Sequence, residues 1–298
     1  MSTMTMGRDR WLLIRGLRLH IRIWDGDGVP FVLVHGLSSN CMTWEAVAQR
    51  LHAAGHAVIT LDQRGHGLSD KPDSGYGFAD VTADLQGVIE AQDWNEQPVV
   101  AGQSWGGSVV LQFAARYPAA ARGSVLVDGG FMSMRSRDAE MSWEQLWERL
   151  KPPTLIGMRR DDLALRMRRG HPDWSDEGIE HTLANFETLP DGTIRPWLAL
   201  DHHREILHAM WEQDPDQLYG QITTPLLAVA AGPEDAERAA QKRAGLAAFE
   251  QQLPRSRSYW FERTDHDIHV QRPDELAALL LESLSDGFFP ASAANDSS

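Results

Sequence analysis

Short apolar runs alternate along this chain with segments whose apolar residues recur every three or four positions. Uninterrupted apolar runs are typical of strands buried on both faces of a parallel sheet, and the longer spacing is typical of helices packed on that sheet. The predicted strands are residues 31–34, 57–61, 99–101, 124–127, 225–230 and 257–262. The predicted helices are residues 43–54, 80–92, 108–116 and 233–252, with a last helix from Pro273. Such alternation predicts a doubly wound, mostly parallel sheet.

The beginning of the chain departs from this alternation. Residues 11–14 are mostly apolar, Arg15-Gly16 follows, and residues 17–24 alternate apolar and polar positions. Two such runs joined by a short turn are typical of an antiparallel hairpin. We therefore expect a hairpin of two strands ahead of the six strands of the parallel part.

A second departure is a long segment in which the strand pattern is lost. Residues 131–222 show no clear strand, but helical patches interrupted by proline and glycine, and five tryptophans. We interpret this segment as a helical cap inserted over the carboxyl ends of the strands, where ligands bind in such sheets. The predicted fold is therefore α/β, a doubly wound, mostly parallel sheet of eight strands with an inserted helical cap. Residues 8–130 and 223–286 form its core, and residues 1–7 and 287–298 are expected to be flexible termini.

Composition and charge narrow the class of partner. The chain of 298 residues is 42% apolar and has a net charge of −14 at pH 7, which disfavours nucleic acids and anionic membranes. Its one cysteine, Cys41, cannot form an intramolecular disulfide, as is usual in a reducing compartment. No apolar run approaches the ~20 residues of a membrane span, and residues 1–7 lack the apolar core of a signal peptide. We expect a cytoplasmic protein that acts on a small molecule, without a nucleic-acid or membrane partner.

One turn between a predicted strand and a predicted helix carries a chemical signal. It has the sequence Gly102-Gln103-Ser104-Trp105-Gly106. A strand, G-x-S-x-G and a helix form the nucleophile elbow, a turn so sharp that side chains at the two glycine positions would collide with the neighbouring strand and helix. The serine is held in a strained conformation, at the amino end of a helix that favours negative charge. We therefore expect Ser104 to be a nucleophile.

Six segments, this elbow among them, resemble the capped branch of the α/β-hydrolase superfamily. They are His35-Gly36, residues 62–70, residues 102–106, Asp128, residues 232–235, and Asp265-His266 with Pro273. The elbow also resembles the Gln-Asp-Trp-Gly-Gly elbow of haloalkane dehalogenases and the similar one of epoxide hydrolases. Those enzymes use the aspartate to form an alkyl-enzyme ester, whereas this chain has Ser104 there. The resemblance therefore implies acyl transfer to water.

The resemblance also implies roles for the other matched positions. His266 matches the superfamily's base, although Asp265 stands where glycine is usual and Asp267 follows. Two adjacent carboxylates favour the protonated imidazole. The backbone N–H groups of Leu37 and Trp105 match the oxyanion hole. Bracing or packing, rather than chemistry, is expected of His35, Arg64, His66, Asp70 and His269.

Two aspartates are candidates for the acid that orients His266. Asp235 matches the superfamily's usual position after the cap, and Asp128 matches a minority position one strand earlier. However, residues 233–235 are also typical of the first turn of a helix. Asp128 ends a buried strand and precedes two glycines, although an Asp-Gly pair is also typical of a plain turn. We favour Asp128 and keep Asp235 as the alternative.

The combined pattern predicts a serine hydrolase that cleaves a small or medium, apolar carboxylic ester or lactone through an acyl-enzyme intermediate. The sequence contains neither the histidine and cysteine spacing of a zinc site nor a glycine-rich phosphate loop, and we expect no metal and no other cofactor. Two alternatives stay open. The first is hydrolysis of a C–C bond in a β-diketone-like ring-cleavage product, and the second is a receptor-like, ligand-binding protein that retains the hydrolase fold.

Overall fold

A central sheet organises the chain, whose computed structural model describes residues 6–233 and 235–291. The strands are β1 (Arg8–Ile14), β2 (Leu17–Trp24), β3 (Gly28–Val34), β4 (His56–Leu61), β5 (Val99–Gln103), β6 (Gly123–Val127), β7 (Phe186–Thr188), β8 (Ile194–Pro196), β9 (Leu226–Ala231) and β10 (Ser256–Phe261). Eight of them form one sheet in the order β1-β2-β4-β3-β5-β6-β9-β10. Strand β2 pairs antiparallel with β1 and β4, and the remaining pairs are parallel. The predicted fold class, including the hairpin at the start, is confirmed.

Helices follow most strands and cover both faces of the sheet. A short 3-10 turn, Cys41–Trp44, precedes the first of them. The helices are α1 (Glu45–Ala53), α2 (Phe78–Glu90), α3 (Trp105–Arg116), α4 (Met134–Arg137), α5 (Trp143–Leu150), α6 (Arg160–Gly170), α7 (Asp176–Leu183), α8 (Leu200–Glu212), α9 (Asp216–Tyr219), α10 (Ala236–Gln252), α11 (Ile268–Gln271) and α12 (Pro273–Ser285).

The apolar core around the sheet consists of two layers, one on each face. Successive side chains of a strand point to opposite faces, and accordingly Val32 and Val34 lie in one cluster while Phe31 and Leu33 lie in the other. Helices α2, α3 and α10 contribute to the first cluster, and α1 and α12 contribute to the second. Burial on both faces explains why the strand at residues 31–34 reads as a continuous apolar run.

The segment between β6 and β9 contains six helices in the described chain and also a small antiparallel sheet of β7 and β8. The sequence pattern indicated no clear strand there, and that prediction was wrong. Each strand is only three residues long, too short to establish an alternating pattern. The local signal was the turn between them, where Gly192 has φ 80° and Asp191 Oδ1 accepts a hydrogen bond of 2.9 Å from Thr193 N.

The two ends of the chain are only partly described. Residues 1–5 and 292–298, which belong to the predicted flexible termini, lie outside the described residues. Phe289, which belongs to the predicted C-terminal segment of residues 287–298, is only 1% exposed and packs in the core beside Gly123. Within residues 6–233 and 235–291, no helix is both long enough and apolar enough to cross a bilayer.

Candidate active site

Ser104 occupies the turn between β5 and α3 in a strained conformation. Its φ of 55° and ψ of −118° are unusual for a residue with a side chain. Its N–H donates a 2.9 Å hydrogen bond to the Val127 carbonyl on β6, and its own carbonyl accepts a 2.9 Å bond from Gly107 N. These bonds hold the backbone strain in place, because leaving the conformation would break both of them.

Close backbone contacts explain the glycines of this turn. A Cβ at Gly102 would lie 2.1 Å from the Gly106 carbonyl oxygen, and a Cβ at Gly106 would lie 2.4 Å from the Val34 oxygen. After β6, a Cβ at Gly129 would lie 2.2 Å from the Ser104 oxygen. The turn after β6 therefore lies directly against the turn that carries Ser104.

Asp128 and His266 are joined by a short hydrogen bond. Asp128 follows β6, and its Oδ2 lies 2.6 Å from His266 Nδ1 in the loop between β10 and α11. The Asp128 side chain is 1% exposed, and its Oδ1 accepts a 2.9 Å bond from Ala231 N. Asp235 instead caps α10, where its Oδ1 accepts a 2.7 Å bond from Arg238 N. The structure brings Asp128, and not Asp235, to the histidine.

His266 is also tied to the strand that leads to Ser104. The Gln103 side chain donates hydrogen bonds to the His266 carbonyl (3.1 Å) and to Asp267 Oδ1 (3.3 Å). Within the described chain, no hydrogen bond joins Ser104 Oγ to His266. Such bonds are often long before substrate binds and tighten in the complex. The contact of Gly129 with Ser104 and the bonds of Asp128 and Gln103 to His266 nevertheless place the serine, the aspartate and the histidine at one edge of the sheet.

Charges around His266 set its protonation. Loss of hydration disfavours the imidazolium, but the side chain is still 53% exposed, and the hydrogen bond and charge of Asp128 outweigh that loss. The pKa of His266 is therefore raised above its ordinary value. Burial tends to raise the pKa of Asp128, but His266 and Lys242 together hold this pKa below its usual range. The carboxylate stays ionised beside the imidazole.

Lys242 is a site residue that the sequence analysis missed. Its Nζ donates to both oxygens of Asp128, at 2.7 and 2.9 Å, and to the Ala231 carbonyl, at 2.9 Å. It lies in the middle of α10, among other charged residues of a helix that reads as solvent-facing. No local pattern distinguishes it from them, because its partner is 114 residues away in the chain.

Leu37 and Trp105 occupy positions from which their N–H groups can face Ser104. Trp105 is the first residue of α3, and the N–H of a first helical residue has no acceptor within its helix. Leu37 follows Gly36, where a Cβ would lie 3.2 Å from Ser104 Cβ. The loop that carries Leu37 therefore passes directly beside the serine.

Two buried histidines brace this loop. His35 Nδ1 donates to the Gly36 carbonyl (2.7 Å), and its Nε2 accepts from Gln63 N (3.1 Å). Burial lowers the pKa of His35, which keeps the acceptor nitrogen unprotonated. His66 Nε2 accepts from Ser38 N (3.2 Å), and its ring stacks on Trp105 at 5.2 Å. The conformation of residues 36–38 is thus fixed by neutral imidazoles.

The remaining polar residues of the matched segments also make structural contacts. Arg64 forms two hydrogen bonds with Asp84, at 2.6 and 2.7 Å, and Asp70 accepts a 2.7 Å bond from Arg18 N. His269 is buried against Trp44, with ring centroids 4.6 Å apart. Burial lowers its pKa to about 3, so this imidazole is neutral across the physiological range. The contact of Asp265 is with His171, whose Nδ1 lies 3.2 Å from Asp265 Oδ2.

An apolar cavity of about 250 Å³ lies beside the Leu37 loop. Ser38, His66 and His203 of α8 form part of its wall, and His203 Nδ1 lies 2.8 Å from Ser38 Oγ. Burial lowers the pKa of His203 to about 4, which keeps this imidazole uncharged. The apolar part of the lining is contributed by Pro152, Pro153, Leu155, Ile156, Phe186, Pro196, Trp197, Leu198, Ala199 and Leu200.

One buried group of potential metal ligands lies next to the carboxyl end of β4. His20, Cys41 and Asp62 place one ligand atom each within 4.8 Å of the others, the only such group among the described residues. The ligand atoms of His20 and Asp62 already bond each other within the protein. His20 Nδ1 lies 2.8 Å from Asp62 Oδ2, and Cys41 N donates to Asp62 Oδ1 at 2.8 Å. The contacts tie β2 and β4 to the turn before α1.

Comparison with known proteins identifies the class. The alpha/beta hydrolase family matches residues 31–279. Epoxide hydrolase 1 of Caenorhabditis elegans is 23% identical over 286 residues, which cover 89% of this chain and 69% of that protein. A 2-(acetamidomethylene)succinate hydrolase of Mesorhizobium japonicum is 36% identical over 103 residues, 35% of this chain and 36% of that protein. A crystal structure of E-2-(acetamidomethylene)succinate hydrolase has a TM-score of 0.79 at 23% identity and covers 94% of this chain and 99% of its own.

The chain therefore belongs to the alpha/beta hydrolase family, which confirms the resemblance seen in the sequence. Its relatives include proteins named as hydrolases of small molecules. The curated relatives that are about 35% identical match this chain over only about a third of their own length.

Proposed function

We propose that this chain is a serine hydrolase that cleaves small or medium, apolar carboxylic esters or lactones through an acyl-enzyme intermediate. The observation that carries the proposal is the 2.6 Å bond between His266 Nδ1 and the buried Asp128 carboxylate, next to the strained turn of Ser104. A serine hydroxyl is a weak nucleophile at neutral pH and needs an adjacent base. An aspartate on the far nitrogen leaves His266 Nε2 free to be that base.

In the first half of the reaction, Ser104 Oγ attacks the substrate carbonyl carbon while His266 Nε2 takes the hydroxyl proton. Asp128 stabilises the imidazolium that forms. The N–H groups of Leu37 and Trp105 donate to the oxyanion of the tetrahedral intermediate. When this intermediate collapses, the C–O bond to the alcohol breaks and His266 returns its proton to the leaving oxygen.

In the second half, a water molecule takes the place of the alcohol. His266 removes one of its protons as the oxygen attacks the acyl-enzyme, and the same two N–H groups hold the second oxyanion. The bond to Ser104 Oγ then breaks, and the serine recovers its proton from His266. The carboxylic acid leaves and the protein returns to its starting state.

The apolar cavity supports the proposed substrate class. Its walls join the loop of Leu37 to the segment of residues 131–222, which we propose to act as a cap over the site. A volume of about 250 Å³ lies just below the usual range of small-molecule pockets. We therefore expect the cavity to accept a short or medium apolar acyl group and to exclude long chains.

Covalent labelling tests the proposed nucleophile. A fluorophosphonate probe should attach one equivalent at Ser104, because its phosphorus adduct resembles the tetrahedral intermediate. Mass spectrometry of the digested protein locates the adduct, and Ser104→Ala is the control that should abolish it without unfolding the chain. Labelling at another residue, or none on folded protein, contradicts the proposal.

A panel of p-nitrophenyl esters and lactones of graded acyl length then tests the substrate class. The proposal expects kcat/KM to peak at a short or medium acyl chain and to fall for longer ones. A protein that binds these compounds without turning them over would instead belong to the receptor-like class.

A further inference from the structure

The Asp128 carboxylate carries two cationic partners, not one. Besides His266, it is bound by Lys242, whose Nζ lies 2.7 Å from Oδ1 and 2.9 Å from Oδ2. The Asp128 side chain is 1% exposed and that of Lys242 is 22% exposed. A buried carboxylate needs compensation for its lost hydration, and Lys242 supplies a full positive charge whatever the protonation state of His266.

The acceptors around Lys242 match the hydrogen-bonding capacity of its ammonium group. An ammonium group has three N–H donors, and Lys242 has three acceptors: the two oxygens of Asp128 and the Ala231 carbonyl at the end of β9. Ala231 N in turn donates to Asp128 Oδ1 at 2.9 Å. The lysine thus joins α10 to the ends of β6 and β9 and fixes the orientation of the carboxylate.

We propose that Lys242 is a positioning residue for the base: it orients Asp128 and, by partly neutralising it, keeps His266 in its neutral, proton-accepting form at lower pH than Asp128 alone would allow. The catalytic part of this inference rests on the proposed function. The electrostatic part does not, because it concerns the proton equilibrium of His266 itself.

The charged groups around His266 give the direction of the effect. Among these groups, Asp128 and Asp267 raise the pKa of His266, and Lys242 lowers it. Asp265, His171 and His269 are further titratable groups of the surrounding elements. Removing Lys242 removes an opposing charge and leaves Asp128 to act alone, so the pKa of His266 must rise.

Geometry also sets the size of the effect. Lys242 Nζ and His266 Nδ1 bond the same oxygen of Asp128 and therefore lie within about 5.5 Å of each other. Two unit charges at that separation interact enough to shift a pKa by roughly 0.5 unit in water and by about 2 units at the lower effective dielectric near a protein surface.

The experiment is a titration of His266 in the whole protein, followed by NMR of its ring C–H signals. Assignment comes from the signal lost in His266→Gln. In Lys242→Met, the midpoint should rise by roughly 0.5 to 2 units, and the acid limb of kcat/KM for an activated ester should move by the same amount. In Lys242→Arg, which keeps the charge, the midpoint and the acid limb should both stay close to those of the wild type.

Two further variants separate charge from structure. Lys242→Gln keeps a hydrogen-bond donor but no charge, and it should raise the midpoint of His266 as Lys242→Met does. It therefore provides the same test if the methionine variant folds poorly. Arg243→Met is the matched control on the same helix. Its guanidinium lies over Trp260 and pairs with Glu262, so the midpoint of His266 should stay unchanged.

An unchanged or lowered midpoint of His266 in folded Lys242→Met or Lys242→Gln overturns the proposal, even if activity falls, because a purely structural role would reduce the plateau without moving the limb. If no ester is hydrolysed by the wild type, the proposed function fails. The NMR midpoint then still decides the role of Lys242.

Discussion

Replacing Asp128 with asparagine should abolish the base through a change of tautomer. In the wild type, Oδ1 accepts from Ala231 N and Lys242, and Oδ2 accepts from Lys242 and His266. An amide placed with its NH2 at the Oδ1 position would meet two donors. The favoured orientation therefore directs the NH2 at His266 Nδ1, which must then accept, and the proton moves to Nε2, where it blocks proton transfer from Ser104.

The magnitude follows from that loss. A histidine in the wrong tautomer cannot act as the base, and comparable triads lose on the order of 10³ to 10⁴ in kcat. The assay is kcat on an activated p-nitrophenyl ester, with circular dichroism to show that the fold is intact.

Asp235→Asn is the matched control, because asparagine caps a helix about as well as aspartate. Its activity should stay within about tenfold of wild type. Its free energy of unfolding should fall by roughly 0.3–1 kcal/mol, because the negative charge near the amino end of the helix is lost. A severe Asp235→Asn variant together with a mild Asp128→Asn variant would refute the assignment of the acid.

Two further predictions concern the base and the elbow. Asp128 raises the pKa of His266, so activity should be lost as the pH falls through a midpoint above the ordinary value of 6.5. In a pH profile of kcat/KM, His266→Gln should lack this acid limb. If the variant keeps the limb at the same pH, the base is another residue. Gly106→Ala should lower the melting temperature and activity together, since its Cβ would meet the Val34 oxygen at 2.4 Å and overpacking costs roughly 1–3 kcal/mol. In the control Gly170→Ala, the added Cβ has open space around it, so the melting temperature and the activity should not fall.

Local patterns predicted the parts of the site whose structure is itself local. The elbow could be read because its glycines and serine are consecutive, and β3 because its apolar run is uninterrupted. The preference for Asp128 over Asp235 depended on the helix-start pattern before α10, and Asp235 does cap that helix in the structure. The catalytic role of Asp128 remains a prediction until the variants are measured.

Other features were invisible because they arise only from long-range contacts. Lys242 reads as one more charged residue of α10, and His20, Cys41 and Asp62 are scattered over three elements. The cavity is lined by side chains from several separate stretches of the chain, including Ser38, Leu155 and Trp197. No periodicity connects such positions, so the sequence predicted a cap but not the shape of the space beneath it.

The pairing of β5 with β6 has a consequence for how the site tolerates motion. Ser104 N bonds the Val127 carbonyl, and Asp128 N bonds the Val229 carbonyl, so the serine and the aspartate are fixed to one rigid frame of adjacent strands. His266 comes from a loop beyond the last strand and is half exposed. The histidine is therefore the adjustable member of the three, and Gln103, next to the serine, acts as its tether. Small displacements of that loop would change the reach of the base without disturbing the other two residues.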